Sequence, residues 1–134
     1  MQREFTKKIQ RVVLKIGASV ITDAKGKIDT ARLQDIIEQV CSLSREGMDF
    51  ILVTSGAIAS GIQLLQIPCR PNNLAGLQAT AAIGQGALMR MYSAAFKKHN
   101  KLCAQILLTW DDFNDRKRYL NAKNTLLKLL EYRV

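Results

Sequence analysis

The sequence predicts an α/β protein, a parallel-type sheet sandwiched between helices. Three observations carry that reading. Short aliphatic and β-branched runs recur at residues 12–16, 50–53 and 102–108, the signature of buried strands. Longer segments with apolar residues at helical spacing separate them. Two of the runs also pass directly into glycine and small residues, RVVLKIGASV at 11–20 and ILVTSGAIASG at 51–61, where a chain turns closely around something. The alternation continues without internal repeats or low complexity. Right-handed parallel crossovers follow, with ligands at the carboxyl ends of the strands.

Each element has its own local warrant. After the first strand, TDAKGK at 22–27 is a polar turn. Asp29 can cap a helix in which Leu33, Ile36, Ile37, Val40 and Leu43 share a face, and Gly47 closes it. Residues 50–53 form the second strand, and TSGAIASG opens a helix rich in small residues. Pro68, Pro71, Asn72 and Asn73 mark a loop. Residues 74 to about 98 are helical, interrupted by Gly84 and Gly86; close helix packing and a backbone facing a ligand both account for that pair. Residues 102–108, LCAQILL, give a third strand. A polar connection at 109–115 leads to a final helix from Arg118 to about Tyr132.

Composition narrows the function classes. A chain of 134 residues is one domain or part of one, and 48% hydrophobic with 23% charged residues is sufficient for a packed core. No apolar run reaches membrane-helix length, and the polar opening MQREFTKKIQ lacks the apolar centre of a secretory signal. A cytoplasmic protein is expected. The net charge of +9 permits nucleic-acid binding. However, the basic groups are dispersed (Arg3, Lys7, Lys8 and Arg11; Lys97, Lys98 and Lys101; Arg116, Lys117 and Arg118), and aromatics are only 6% and do not interleave with them as stacking platforms would. A basic surface that attracts anionic metabolites is the preferred reading. Cys41, Cys69 and Cys103 lie far apart without CxxC pairing and read as buried or incidental thiols. His99, the only histidine, sits in KKHNK and reads as a solvated helix end.

The chemistry concentrates at the two glycine junctions. A strand end passing into small residues leaves backbone N–H groups unobstructed, and a following helix adds its positive dipole end, which suits a phosphate or carboxylate. Lys15 places an ammonium beside the first junction, where Gly17 lets phosphate oxygens approach the main chain. The other role for Lys15 is a snorkelling surface side chain. Ser55 and Gly56 can hold a carboxylate or phosphoryl group, while Thr54 or Ser55 can equally cap the next helix. Neither junction is a Walker A loop, and no Ser/His/Asp or Cys/His arrangement is present. Asp111, Asp112 and Asp115 lie beside Arg116 and Arg118 and read as surface ion pairs ahead of a magnesium site.

Five blocks together resemble the glutamate 5-kinases of the amino acid kinase family: VVLKIGAS at 12–19, ILVTSGAIASG at 51–61, AAIGQGALM at 81–89, AQILLTWDDF at 104–113 and DRKRYLNAKNTL at 115–126. The first block is general to amino acid kinases, and VTSGAIASG followed by AAIGQ and DRKRYLNA is much more specific. The resemblance implies an amino acid kinase-like fold and ATP-dependent phosphorylation of the L-glutamate γ-carboxylate, the first step of proline biosynthesis. It also implies Mg2+, a cytoplasmic homo-oligomer and proline as feedback inhibitor. By motif, Lys15 would be catalytic and would bind ATP phosphate with Gly17, Ala18 and Ser19, while Ser55, Gly56 and Ala57 would bind glutamate. No residue is assigned to a metal. The chain matches only the first part of such a kinase domain. Residues 1–134 are therefore expected to be its N-terminal part, incomplete and inactive alone, without the nucleotide lobe or any C-terminal RNA-binding-like domain. A noncatalytic self-associating or binding module and another amino acid kinase are the alternatives.

Overall fold

Strand β1 (Arg11–Ile16) and strand β2 (Asp49–Thr54) pair in parallel, from Arg11 opposite Asp49 to Ile16 opposite Thr54. Their side chains alternate between two faces. Leu14, Ile16 and Leu52 join the core, whereas Val13 and Val53 on the opposite face remain 64% and 49% exposed. The structure is a computed structural model that describes residues 9–134. Arg3, Lys7, Lys8 and most of the polar opening lie outside the described residues.

Helix α1 (Thr30–Arg45) joins the strands. The Asp29 carboxylate accepts from the Arg32 N–H at 3.0 Å, which satisfies one orphan donor of its first turn. At its other end Gly47 adopts φ +92°, and the N–H groups of Gly47 and Met48 donate to the carbonyls of Ser44 and Leu43. That is the hydrogen-bond pattern of a glycine-closed helix. Its apolar stripe buries Leu33, Ile37 and Cys41 against Ile21, Leu88, Tyr92 and Ala95. Helices α2 (Ala57–Leu65) and α3 (Leu74–Lys97, capped by Asn73) complete this layer.

Gly61 and Gly84 let α2 and α3 meet backbone to backbone. A Cβ at Gly84 would lie 1.8 Å from the Ala57 carbonyl oxygen, and one at Gly61 would lie 2.0 Å from that of Thr80. Close helix packing therefore accounts for Gly84. A Cβ at Gly86 would meet only the end of Arg90.

The C-terminal quarter departs from expectation in one respect. Residues 102–108 form no strand, and the sheet has two strands among the described residues. A cavity of about 730 Å³ separates this segment from β2, with Leu52, Tyr92, Phe96 and Leu130 among its walls. A third strand would have to lie within about 4.9 Å of its neighbour to close a ladder. The apolar run is present, but the contact is not made. Thr109 then leads into a single turn, α4 (Asp111–Asn114), and helix α5 (Arg116–Glu131), which starts ahead of the expected Arg118 because Asp115 caps it. Helix α5 borders the second face of the sheet, where Arg11 and Ile51 share a smaller cavity with Tyr119 and Leu127. Among the described residues no helix is long and apolar enough to cross a membrane.

Candidate active site

The parallel register brings the two glycine junctions side by side. Ile16 stands opposite Thr54, and the Ser55 N–H continues the ladder to the Ile16 carbonyl at 3.1 Å. The Ser55 hydroxyl donates to the same carbonyl at 3.4 Å. Gly17 and Ser55 thus leave the sheet together at its carboxyl edge, where an open parallel sheet receives ligands.

Beyond Ile16 the chain makes a short 3-10 turn, Ala18–Val20, closed by the Val20 N–H on the Gly17 carbonyl at 3.0 Å. Gly17 has φ −70° and ψ 154°, a conformation open to any residue, and a Cβ there would meet only the Ser19 hydroxyl at 3.8 Å. The fold itself does not need a glycine here. Its effect is to leave the main chain uncovered, and the N–H groups of Gly17, Ala18 and Ser19 donate to no acceptor among the described residues. Lys15 precedes them on the sheet face turned away from the core, exposed and next to Val53. It makes no ion pair among the described residues.

The second junction is more constrained. Gly56 adopts φ +120°, and a Cβ there would lie 3.1 Å from Cδ1 of the fully buried Ile21. Both the backbone and the space therefore require glycine. Gly56 is the N-cap of α2 and receives no side-chain cap. The reading of Thr54 or Ser55 as a helix cap is thus corrected: Ser55 turns to Ile16 and Thr54 turns to the core. The N–H groups of Gly56 and Ala57 have no acceptor among the described residues and stand at the positive end of a nine-residue helix. Ser55 is exposed, Ala57 half-buried and Gly56, between them, buried.

Thr54 and Tyr92 drew no functional reading from the sequence. The Tyr92 hydroxyl lies 2.7 Å from Thr54 Oγ1, and the Thr54 hydroxyl donates to the Ser55 carbonyl at 3.2 Å. Burial pushes the Tyr92 phenol above its ordinary pKa, partly offset by the Thr54 bond, so it stays protonated at neutral pH. The sequence offered only an aromatic residue at core spacing within a helix.

The aspartate-rich segment forms a separate knot. Asp112 accepts from the Thr109 N–H at 2.6 Å, from the Thr109 hydroxyl at 2.9 Å and from Arg118 Nε at 2.9 Å. The Thr109 N–H, then the Thr109 hydroxyl and Arg118, hold its carboxyl below the ordinary aspartate range. Asp112 in turn raises the Arg118 pKa. Among the described residues no group of three or more His, Cys, Asp or Glu is placed to hold a metal ion. Burial raises the Cys41 thiol, while Cys69 is exposed and Cys103 half-buried.

An open parallel sheet with two amide-lined junctions at one edge, one flanked by a lysine, defines an α/β class with free donors at its carboxyl edge. The family model described as the amino acid kinase family matches residues 10–134, and the chain belongs to that family. It is 46% identical over 130 residues to "Glutamate 5-kinase" of Geobacter sp. (strain M21), an alignment covering 97% of this chain and 35% of that protein. "Glutamate 5-kinase 1" of Bacillus subtilis (strain 168) is 45% identical over 92% of this chain and 34% of its own length. The protein named "Glutamate 5-kinase" of Syntrophus aciditrophicus (strain SB) is 44% identical over 99% and 34%. The chain spans about a third of the length of the curated relatives it matches.

Proposed function

We propose that this chain carries the phosphate- and glutamate-facing elements of a glutamate 5-kinase site, for ATP-dependent transfer of a phosphoryl group to the γ-carboxylate of L-glutamate. The observation that supports this most is the tie between the junctions. The Ser55 N–H on the Ile16 carbonyl keeps two sets of free amide donors adjacent, as needed where a carboxylate and a phosphoryl group must meet.

In this reading Lys15 and the N–H groups of Gly17, Ala18 and Ser19 face ATP phosphate oxygens. The ammonium offsets charge on the transferred group. Gly56 and Ala57 N–H groups, with Ser55, face glutamate. Because Ser55 directs its one proton to Ile16, its oxygen is left as an acceptor, suited to an ammonium donor of the substrate. Positioning and electrostatics carry most of phosphoryl-transfer catalysis, which fits a site made of amides and one lysine. The described residues form no carboxylate cluster for a cation. Magnesium would enter with the nucleotide phosphates.

The relatives are about three times as long as the match, and the complete reaction is proposed for proteins of that length. Residues 1–134 then supply the N-terminal part of a kinase domain, binding anions without turnover on their own. Titrating the chain with L-glutamate and ATP while following the amide resonances of Gly17, Ser19, Gly56 and Ala57 tests this. Glutamate should move the second pair and ATP the first. Inert resonances with glutamate, but a response to aspartate, acetylglutamate, carbamate or UMP, would transfer the assignment to another amino acid kinase.

A second reading rests on the apolar surface of the C-terminal quarter, where Leu102, Leu107 and Trp110 are 75–82% exposed. Such a surface favours self-association. Light scattering over a concentration series tests it, and a constant monomer mass would dismiss it.

A further inference from the structure

We propose that Tyr92 is a positioning residue for the second junction, acting through Thr54 to aim the Gly56 N–H at the ligand. The inference deepens the proposed glutamate site and rests on that reading. A hydroxyl has one proton, and that of Thr54 goes to the Ser55 carbonyl at 3.2 Å. With that proton on the Ser55 carbonyl, the tyrosine is the donor of the 2.7 Å contact, for which either hydroxyl has suitable geometry. The result is a directed relay from α3 through β2 to the Ser55–Gly56 peptide. That peptide is planar and trans, so its N–H points opposite to its carbonyl. Holding the Ser55 carbonyl on the Thr54 hydroxyl holds the Gly56 N–H pointing the other way, away from Thr54.

The relay has a rigid origin and a soft end. Tyr92 is 3% exposed, and its ring packs in the core with Ile37, Leu88 and Ala95. Thr54 occupies the last position of β2, on the core face of the sheet. The junction beyond it has no side-chain cap of its own. Without the relay the Ser55 carbonyl has no other donor among the described residues, and the flanking restraints are the Ser60 N–H on the Gly56 carbonyl at 2.9 Å and the Ser55 bonds to Ile16. The latter fix the other side of Ser55.

The test uses the full 134-residue chain with Tyr92→Phe, Thr54→Val, Thr54→Ser and the Tyr92→Phe/Thr54→Val double variant. L-Glutamate affinity and the Gly56 amide resonance are both read. Tyr92→Phe keeps the ring, so its melting temperature should stay near wild type while glutamate affinity falls roughly three- to tenfold. Thr54→Val should fall equally, the double variant no further, and Thr54→Ser should bind like wild type. In the free protein the two single variants should shift the Gly56 resonance alike and leave those around Ile37 unmoved. Wild-type affinity in Tyr92→Phe, or additive losses in the double variant, would overturn the relay and leave the glutamate site standing. If the wild-type chain binds no glutamate, the functional reading fails, and the Gly56 resonance alone then decides: an unmoved signal in Tyr92→Phe rejects the relay, and matched shifts uphold it.

Discussion

Residues 9–100 and residues 101–134 share one chain and a similar apolar content but differ in how that content is used. In the first region Ile21, Leu33, Ile37 and Leu88 are almost fully buried, and each strand and helix has a packed partner. In the second, Leu102, Leu107, Trp110 and Phe113 face solvent, and Leu130 is the only buried side chain of α5. None of residues 102–108 donates a main-chain hydrogen bond to another described residue. The difference shows that apolarity alone does not make a core. A helix or strand becomes stable when its face meets another, and the candidate site has been built where that happened.

The largest test of this contrast lies in the first region. Ile37→Ala removes a fully buried side chain and should lower unfolding free energy by about 2–5 kcal/mol in urea denaturation. Gly84→Ala should follow, at about 1–3 kcal/mol, since the new methyl has backbone against it and little can yield. Asp115→Ala removes the cap of α5 and should cost about 1 kcal/mol. If the two regions unfold separately, that loss will appear only in probes of residues 109–131. Leu107→Ala, 75% exposed, should change stability by less than about 0.5 kcal/mol. A loss comparable to that of Ile37→Ala would break the comparison, because residues 102–108 would then be packed in solution.

The smallest effect is a pH dependence. Thr109 and Arg118 lower the folded-state pKa of Asp112 below its unfolded value. The stabilisation is therefore complete above the ordinary aspartate pKa of about 3.9 and is lost as pH falls through the lowered value. Amide exchange at Thr109 should accelerate below about pH 4, and Asp112→Asn should remove that step.

Much of the fold was legible because its signals are local. Asp29 and Asn73 announced or bounded helices, Gly47 closed one, and the run before Gly17 read as a strand at once. The two junctions were legible for the same reason. Their adjacency was a reasonable inference from parallel pairing, but the Ser55 bonds to Ile16 depend on register. The relay through Tyr92 depends on which face of α3 meets which end of β2, and one sequence does not encode that locally. Residues 102–108 failed in the opposite direction. LCAQILL has the composition of a strand, but strand formation is a property of a pair of segments, and the cavity beside β2 separates this pair. From the sequence Gly84 fits packing and ligand equally, and the Ala57 carbonyl against it decides for packing.

That contact has a thermal consequence. Where α2 crosses α3, main chain touches main chain, so the spacing of the two helices involves no choice among side-chain rotamers. Positions held by long side chains soften on warming as more rotamers become populated. The α2–α3 crossing has no rotamers to populate, and its spacing should vary little with temperature until the domain itself melts.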